Sequence, residues 1–195
     1  MVEQLSPLGA AFEPGLRGNA ANGVGVLLSE PQPGSIVQMA AWPGCEAALL
    51  AAIARATGLK LGLEPGAGIA EKTRAAFGIA PGRFLLIDEE EGLADQLLKA
   101  TGPEIGSVTD LSHGRTAIRL KGPRADWVLS KLFAVDFSAA GLGIGNAVST
   151  NHHDVFAQIQ RSGPDQFDIY VFRSFARSFW KTLGHAAEET GYEVR

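Results

Sequence analysis

The chain has 195 residues, a formal net charge of −4 and 46% hydrophobic residues. A length of this order fits one large domain or two closely packed halves, and it buries roughly 70% of the unfolded surface without a metal or a disulfide. Its Lys and Arg residues are scattered along the chain without a basic stripe, which argues against a nucleic-acid-binding site.

Cysteine usage and hydropathy indicate where the protein works. The single cysteine, Cys45, has no partner within the chain, which favours a reducing compartment. The first residues lack a basic region followed by an apolar run, and no apolar stretch approaches the roughly 20 residues of a membrane span. We therefore expect a cytoplasmic protein without a signal peptide. The charged fraction of 19% fits either a surface partly covered by a partner or an alanine- and glycine-rich proteome.

Residues 1–33 are predicted to form an extended N-terminal arm, because prolines and glycines interrupt them throughout. Only residues 24–29 have the composition of a short strand. The segment is either a disordered tail or an arm that lies along another subunit. Docking is favoured, because the segment retains four large apolar side chains: Leu5, Leu8, Phe12 and Leu16.

Residues 34–107 are predicted to form a first α+β half. Its expected strands span residues 35–41 and 83–87, and its expected helices span residues 45–57, 72–77 and 93–99. The first of these helices ends at Gly58. The four acids at 88–91 are interpreted as helix-start residues, because the positive end of a helix dipole favours carboxylates.

Residues 108–195 are predicted to form a second α+β half. A polar turn at 110–114 precedes strands 115–121, 154–161 and 166–172 and helices 124–133 and 174–189. The turn at 162–165 predicts an antiparallel hairpin. Strand 115–121 alternates, so we expect one buried face and one polar face. In the last helix we expect Ser174 as N-cap, Trp180 at the edge, and an inner stripe of Phe175, Phe179, Leu183 and Ala186.

The two halves share a similar order of elements, each with a strand, a helix, a later Phe-containing strand and a further helix. We interpret this as two pseudo-repeated βα…βα halves. Strands interleaved with helices, together with an antiparallel hairpin, predict the α+β class rather than a doubly wound parallel sheet.

Asp110, Ser112 and His113 contain the residue types of a hydrolytic triad, but their spacing argues against one. Adjacent side chains of an extended segment point to opposite faces, and triad members normally converge from separate loops. We interpret these residues, with Arg115, as a structural turn that holds the two halves together through hydrogen bonds.

Two further patterns are weak. The side chains of His152 and His153 are expected to point to opposite faces in the same way. No other His or Cys motif supports a metal site there. The glycines at 66–68 fail the dinucleotide fingerprint because Glu71 stands at the third glycine position, and those at 141–145 fail its spacing. No catalytic, cofactor-binding or metal-binding residue is therefore predicted on this chain.

The central stretch Val108-Thr-Asp-Leu-Ser-His-Gly-Arg-Thr-Ala-Ile-Arg-Leu-Lys-Gly-Pro123 resembles the central motif of the gamma subunit family of heterotetrameric sarcosine oxidase. Residues 168–176 and Trp180 are similar to the closing strand and helix of that family. The first half is similar through residues 41–44 and 81–86, and the resemblance extends over residues 36–190. More distantly, the same residues resemble the folate-dependent aminomethyltransferase of the glycine cleavage system.

The resemblance implies an aminomethyltransferase-like, folate-binding-type fold and a structural subunit without catalytic residues. The implied complex oxidises sarcosine to glycine, hydrogen peroxide and a one-carbon unit passed to tetrahydrofolate. It implies FAD on the beta subunit, FMN between alpha and beta, NAD and folate on the alpha subunit, and alpha, beta and delta subunits as partners. The apolar arm residues and Trp180 are then candidates for the partner interface.

Two alternatives remain open from the residues. If the chain is not a subunit of a sarcosine oxidase, it is either a stand-alone folate-binding transferase or the gamma subunit of a related N-methyl amino acid dehydrogenase. The first alternative is disfavoured, because the aminomethyltransferase carries paired acids in a glycine-rich hairpin, whereas residues 146–154 retain only Asp154.

Overall fold

The computed structural model describes residues 6–21, 23–71 and 73–195, which form two β-sheets and four α-helices. The first sheet contains β3 (Ser35–Ala41), β4 (Gly68–Ala70), β5 (Arg74–Ala80), β6 (Arg83–Asp88) and β7 (Gly106–Asp110). Their spatial order is β4-β5-β6-β3-β7, and all neighbours run antiparallel.

The second sheet has seven strands and includes both ends of the described chain. It contains β1 (Gly15–Arg17), β2 (Val26–Ser29), β8 (Arg115–Lys121), β9 (Ala147–His152), β10 (Val155–Gly163), β11 (Gln166–Phe172) and β12 (Tyr192–Val194). Their spatial order is β1-β12-β2-β8-β11-β10-β9. Only the pair of β12 and β2 is parallel among these described strands.

The helices cover the outer faces of the two sheets. Helices α1 (Glu46–Thr57) and α2 (Leu93–Ala100) pack on the five-stranded sheet, where Leu49 and Leu97 meet Met39 and Phe84. Helices α3 (Ala125–Ser130) and α4 (Ala176–Ala187) pack on the seven-stranded sheet. None of the helices within the described residues is both long and apolar enough to cross a membrane.

A third core lies between the two sheets. Ile36, Phe77 and Leu85 of the five-stranded sheet pack against Ala117 and Tyr170 of the seven-stranded sheet. Each sheet therefore has apolar contacts on both faces, and the layers follow the order helix, sheet, sheet, helix. This explains why β3 reads as an almost continuous apolar run: Val37 and Met39 face the helices, while Ile36 faces the other sheet.

The strongest predicted elements are present. Strand 35–41 is confirmed, and the strands predicted at 83–87 and 115–121 are β6 and β8. The antiparallel hairpin is formed by β10 and β11, with a register shift between Arg161 and Gly163. Helix α1 ends at Gly58, which adopts the left-handed conformation with φ of 80°.

The helix predicted at 72–77 is wrong, because residues 74–80 form β5. Lys72 lies outside the described residues. The alanines around position 75 favour a helix locally, but here Ala76 faces the helices and Phe77 faces the other sheet. Pairing with β6, in which Phe77 stands opposite Leu85, therefore overrides the local preference.

The expected polar face of strand 115–121 is also wrong for most of its length. Arg115 and Ala117 are buried, and Arg119 is half-buried, because the five-stranded sheet and its loops cover this face. Only Lys121 at the end of β8 is exposed.

Two predicted helix starts need correction. Asp88 belongs to β6 and forms an ion pair with Arg74, so it is not a helix-start residue. Ser174 lies in a 3-10 turn, and Phe175 occupies the N-cap position of α4 without a side-chain cap. The helix predicted at 124–133 is limited to α3.

The predicted arm contains two strands of the seven-stranded sheet. Strand β2 pairs with β8, and β1 pairs with β12 near the C-terminus. The described part of residues 1–33 therefore packs on its own chain. Six of the described strands were not predicted: β1, β4, β5, β7, β9 and β12.

Candidate functional site

The two sheets enclose a cleft of about 810 Å³ on one side of their shared core. Strands β8 and β11 supply its floor, and β5, β6 and the segment after β2 supply its walls. The side chains that carry charge or a hydroxyl group in its lining are Glu71, Thr73, Arg74, Glu89, Arg119, Ser162, Asp168 and Tyr170.

An ion pair stands on the cleft floor where β8 and β11 run side by side. Arg119 and Asp168 are directly opposite in the register. Arg119 Nε donates to Asp168 Oδ1 at 2.6 Å, and Nη2 donates to Oδ2 at 3.0 Å. The hydrogen bond to Asp168 raises the pKa of Arg119, and burial opposes this. Both charges are therefore satisfied by a two-pronged contact.

A second ion pair stands on the opposite wall. Arg74 of β5 and Asp88 of β6 are also register partners, and Arg74 Nε lies 2.5 Å from Asp88 Oδ2. Arg74 Nη1 additionally donates to the carbonyl of Thr57 at the end of α1. The two sheets thus place one cross-strand Arg–Asp pair each beside the cleft.

Tyr170 also lines the cleft and is almost completely buried. Its ring packs on Phe77, with centroids 5.9 Å apart. Burial raises the pKa of Tyr170 well above its ordinary value, and the negative charge of Asp168 raises it further. The phenol is therefore protonated at neutral pH and can donate a hydrogen bond to a group in the cleft.

The cleft is a groove lined by both polar and apolar side chains. Its buried charges are paired with each other, and its phenol holds its proton. Within residues 6–21, 23–71 and 73–195, no group of three or more His, Cys, Asp and Glu side chains is arranged to hold a metal ion.

Two of the residues predicted to form a structural turn, Asp110 and Ser112, are hydrogen-bonded to each other. Ser112 Oγ donates to Asp110 Oδ1 at 2.6 Å and accepts the backbone N–H of Ile36 at 3.0 Å. The backbone N–H of Ser112 also donates to Asp110 Oδ1 at 2.9 Å. His113 is exposed, so the buried hydrogen bonds of this turn are those of Ser112.

Arg115 follows the turn and is buried at the start of β8. Its guanidinium carbon lies 3.8 Å from the centroid of the Phe172 ring, which is a close cation–π contact.

The two adjacent histidine side chains do not diverge as predicted, because their ring centroids lie 4.4 Å apart. His152 ends β9, where its Nδ1 lies 2.8 Å from the carbonyl oxygen of Leu132 and its ring packs edge-on against Phe133. His153 is exposed in the turn to β10 and has φ of 49°. This arrangement is that of a tight hairpin end.

The two glycine-rich segments, predicted to be loops, meet at the junction of the sheets. A Cβ atom on Gly68 would lie 2.4 Å from the carbonyl oxygen of Gly145, and one on Gly145 would lie 2.8 Å from that of Gly68. Gln160 Nε2 donates to the carbonyls of Ile69 and Gly145 across the same junction. Close backbone approach, rather than phosphate binding, therefore explains these glycines.

The proposed interface residues fall into two groups. Leu8 and Trp180 are buried in the core of the seven-stranded sheet, and Phe12 packs on Trp180 with ring centroids 5.7 Å apart. Leu8 and Trp180 are therefore not available to a partner, because the chain's own core covers them. Leu16 is 62% exposed and stays a candidate. Leu5 lies outside the described residues.

Neither the Arg119–Asp168 pair nor the Arg74–Asp88 pair was predicted from the sequence. The alternation of strand 115–121 put Arg119 on a predicted polar face, but no predicted feature linked Arg119 to Asp168. Their register depends on pairing between β8 and β11, which are separated by about 45 residues, and no local pattern gives that pairing.

Comparisons with known proteins agree with one another. The model of the sarcosine oxidase gamma subunit family matches residues 42–189. Sarcosine oxidase subunit gamma from an Arthrobacter species is 34% identical over 145 residues, which cover 74% of this chain and 71% of the relative. The corresponding subunit from Corynebacterium sp. strain U-96 is 36% identical over 128 residues, covering 64% and 62%.

The structural comparisons extend the likeness over nearly the whole chain. A chain of heterotetrameric sarcosine oxidase from Corynebacterium sp. U-96, in complex with pyrrole 2-carboxylate, superposes with a TM-score of 0.79 at 32% identity and covers 95% of both chains. The glycine cleavage system aminomethyltransferase T from Bartonella henselae gives a TM-score of 0.59 at 20% identity over 88% of this chain and 48% of that one. The second likeness shows a shared α+β fold alone.

The family model spans most of the chain, and the first of these relatives exceeds 30% identity over about three quarters of it. The chain therefore belongs to the sarcosine oxidase gamma subunit family.

Proposed function

We propose that the chain is the gamma subunit of a heterotetrameric sarcosine oxidase and that its role in the complex is structural. The observation that carries this proposal is the match to a chain of the Corynebacterium complex over 95% of both chains, with a TM-score of 0.79. A likeness of that extent leaves almost no part of the subunit without a counterpart. The alpha, beta and delta subunits are its proposed partners, and the cytoplasm is its proposed compartment.

In this proposal the assembled enzyme oxidises sarcosine to glycine and hydrogen peroxide and passes the one-carbon unit to tetrahydrofolate. FAD, FMN, NAD and tetrahydrofolate bind to the other subunits. Two features of this chain support a structural role. The hydroxyl of Ser112 is engaged by Asp110 and by the backbone of Ile36, and the arginines Arg74 and Arg119 are held by their own carboxylates.

We also propose that the two halves, residues 34–107 and 108–195, arose by duplication of one βα…βα unit of the folate-binding type. The order of elements supports this. Strand β3, helix α1, strands β4 to β6 and helix α2 have the same sequence of types as β8, α3, β9 to β11 and α4. The spatial orders β4-β5-β6-β3 and β9-β10-β11-β8 also correspond.

The experiment is co-expression of this chain with the alpha, beta and delta subunits encoded by its source, followed by omission of each subunit in turn. We expect sarcosine-dependent peroxide production from the complete complex and none from this chain alone. Isolated chain should show no micromolar tetrahydrofolate site by calorimetry. The proposal is wrong if this chain alone oxidises sarcosine, or if it never co-purifies with the other three subunits.

A further inference from the structure

The hydroxyl group of Tyr170 is a donor without a partner in the fold. The residue is 3% exposed and lines the cleft between the sheets, and its hydroxyl makes no hydrogen bond within the described residues. The unpaired polar atoms that the described chain seals off completely belong to other side chains, so this hydroxyl stays open to the cleft. Buried polar groups are nearly always hydrogen-bonded, and an unmet donor costs free energy. The phenol therefore points to an acceptor that the chain itself does not supply.

Arg119 offers further donors beside this phenol. Tyr170 and Asp168 lie two positions apart on the inner face of β11, and Arg119 pairs with Asp168. The Nε and Nη2 atoms of Arg119 each donate to Asp168, which leaves Nη1 without a hydrogen bond in the described part of the chain. The Arg119 side chain is 39% exposed, so its remaining N–H groups are open to the cleft. The floor of the cleft thus presents two kinds of donor in one region.

The uncompensated charges around the cleft are negative. Its two lining arginines are each bound by an aspartate of the neighbouring strand. Glu71 and Glu89 line the rim, are exposed, and form no ion pair among the described residues. The negative charge of Glu89 also raises the pKa of Arg119, so Glu89 acts on the cleft floor from the opposite sheet. The cleft therefore attracts a cation and repels an anion.

Small and apolar side chains make up much of the remaining lining. Ala75 and Ile87 of the five-stranded sheet share the inner core with Ala117 of the seven-stranded sheet, and Pro31 and Pro33 stand at the side. The cleft volume of about 810 Å³ lies in the range of small-molecule sites. The lining therefore accepts an apolar body between its polar floor and its acidic rim.

We propose that the cleft binds a small organic cation in which a short apolar body carries both an ammonium group and a carbonyl oxygen. The carbonyl oxygen accepts hydrogen bonds from the Tyr170 hydroxyl and from a remaining N–H of Arg119, and the ammonium group lies near Glu89. Amino acid amides belong to this chemical class. The inference goes beyond the proposed function and does not depend on it, because the site lies within this chain.

Other ligand classes leave one of these observations unanswered. A phosphate or carboxylate compound would enter a region whose arginines are already neutralised and whose remaining charges repel it. An amine without an oxygen atom would leave the phenol unpaired. A neutral amide would satisfy the phenol but would make no use of the acidic rim.

Three matched compounds test the two ends of the proposed ligand. Leucinamide carries the ammonium group, the carbonyl oxygen and an apolar body, whereas isoamylamine lacks the amide and isocaproamide lacks the amine. In NMR titrations of the isotope-labelled full-length chain, we expect leucinamide to bind with a dissociation constant on the order of millimolar, as its size allows. The other two compounds should bind about fivefold more weakly or worse. The shifted amide signals should include those of Arg119, Asp168 and Tyr170.

Tyr170→Phe removes the hydroxyl and keeps the ring that packs on Phe77. We expect this variant to bind leucinamide about fivefold more weakly and isoamylamine as the parent does, because only leucinamide uses the phenol. The free variant should melt at the parent temperature or higher, since the hydroxyl has no partner in the fold. Tyr192→Phe changes the chain's other tyrosine, which lies outside the cleft, and should leave the binding of both compounds unchanged.

The double change Glu71→Gln and Glu89→Gln tests the charge of the rim. It should weaken the binding of leucinamide and of isoamylamine by about threefold or more and leave isocaproamide unaffected, because only the two amines are cations. The control is the double change Glu64→Gln and Glu104→Gln, which removes the same charge from exposed positions outside the cleft. This control should bind all three compounds as the parent does.

Three outcomes overturn the inference. In the first, leucinamide causes no saturable shifts, or its shifts lie away from the cleft. In the second, isoamylamine or isocaproamide binds as tightly as leucinamide. In the third, Tyr170→Phe binds leucinamide like the parent, which leaves water as the partner of the hydroxyl. None of these results bears on the proposed function, which co-expression with the other subunits tests separately.

Discussion

Ser112 links the first strand of one sheet to the turn that begins the other. Its hydroxyl accepts the N–H of Ile36 in β3 and donates to Asp110, while the N–H of Leu111 donates to the carbonyl of Ile36 at 2.8 Å. Both groups of the Ile36 backbone are therefore satisfied by this turn. The hydrogen bond between Ile36 and Ser112 is buried, so its loss leaves a donor without access to water.

We predict that Ser112→Ala lowers the free energy of unfolding by about 1–3 kcal/mol, because the buried N–H of Ile36 loses its acceptor. Urea denaturation followed by fluorescence measures this change. His113→Ala is the matched control and should change stability by less than about 0.5 kcal/mol, since His113 is exposed. Equal effects of the two variants would show that the turn does not depend on the Ser112 hydroxyl.

At the scale of single residues, the position of this turn could be predicted from the sequence, but not which of its side chains form the buried hydrogen bonds. Asp110 and Ser112 can be predicted to bond their own backbone, because short polar side chains do so in turns. The bond to Ile36 depends on a contact between residues 76 positions apart, which no local pattern contains. The hydrogen-bonding role expected for His113 stays a prediction, and its exposed side chain lends it no support.

Arg161 fixes a long connection onto the β10–β11 hairpin. The side chain is buried, and its Nη1 donates to the carbonyls of Phe137 and Leu142 at 2.9 and 3.3 Å. Its Nη2 donates to the carbonyl of Pro164 in the hairpin turn. The guanidinium carbon also lies 5.2 Å from the centroid of the Phe167 ring. One side chain thus ties the irregular segment between α3 and β9 to two neighbouring strands.

We predict that Arg161→Met lowers the free energy of unfolding by about 2–4 kcal/mol, because two or more buried carbonyls lose their donor. Limited proteolysis should then cut the variant within residues 137–146 before the rest of the chain. Arg83→Met is the control and should behave like the parent, since Arg83 is exposed. Unchanged stability and an unchanged proteolysis pattern would contradict this assignment.

At the scale of elements, strands rich in large apolar residues could be predicted, and strands whose composition is polar or rich in glycine and alanine could not. Strands β1 and β12 have three residues each and pair with each other, and β12 also pairs with β2. Their existence depends on partners from the opposite end of the chain, so proline and glycine content alone suggested a loose arm. Strand β5 was predicted as a helix, because its alanines show no hydrophobic periodicity that distinguishes a helix from a strand.

At the scale of the whole molecule, the packing of the two sheets against each other could not be predicted from the sequence. The cores between each sheet and its helices can be predicted, because the helices and strands that form them have apolar faces. The inner core requires that Phe77 and Tyr170, from different halves, face each other, and only the pairing of the sheets determines that. The same pairing closes the cleft and positions both Arg–Asp pairs beside it.

The glycine-rich segments show how this packing works at the level of the backbone. The N–H of Ala147 donates to the carbonyl of Gly66 at 2.8 Å, so the start of β9 is bonded to the segment before β4. Gly145 has φ of 87°, a region that other residues enter only with strain. Side chains at Gly68 or Gly145 would therefore separate the sheets where their backbones cross.

We predict that Gly68→Ala and Gly145→Ala each lower the free energy of unfolding by at least about 2 kcal/mol. In Gly68→Ala the cause is the 2.4 Å approach of the new methyl group to the carbonyl oxygen of Gly145. In Gly145→Ala the positive φ adds backbone strain to a 2.8 Å approach to the carbonyl oxygen of Gly68.

Urea denaturation, with amide hydrogen exchange at Gln160 and Ala147, measures both the global loss of stability and the opening of this junction. Gly62→Ala is the control and should stay close to the parent, because its nearest neighbour would be the Ala67 methyl at 3.7 Å. Parent-like stability in both junction variants would mean that the sheets do not need this close approach, and the glycines would then lack a structural explanation.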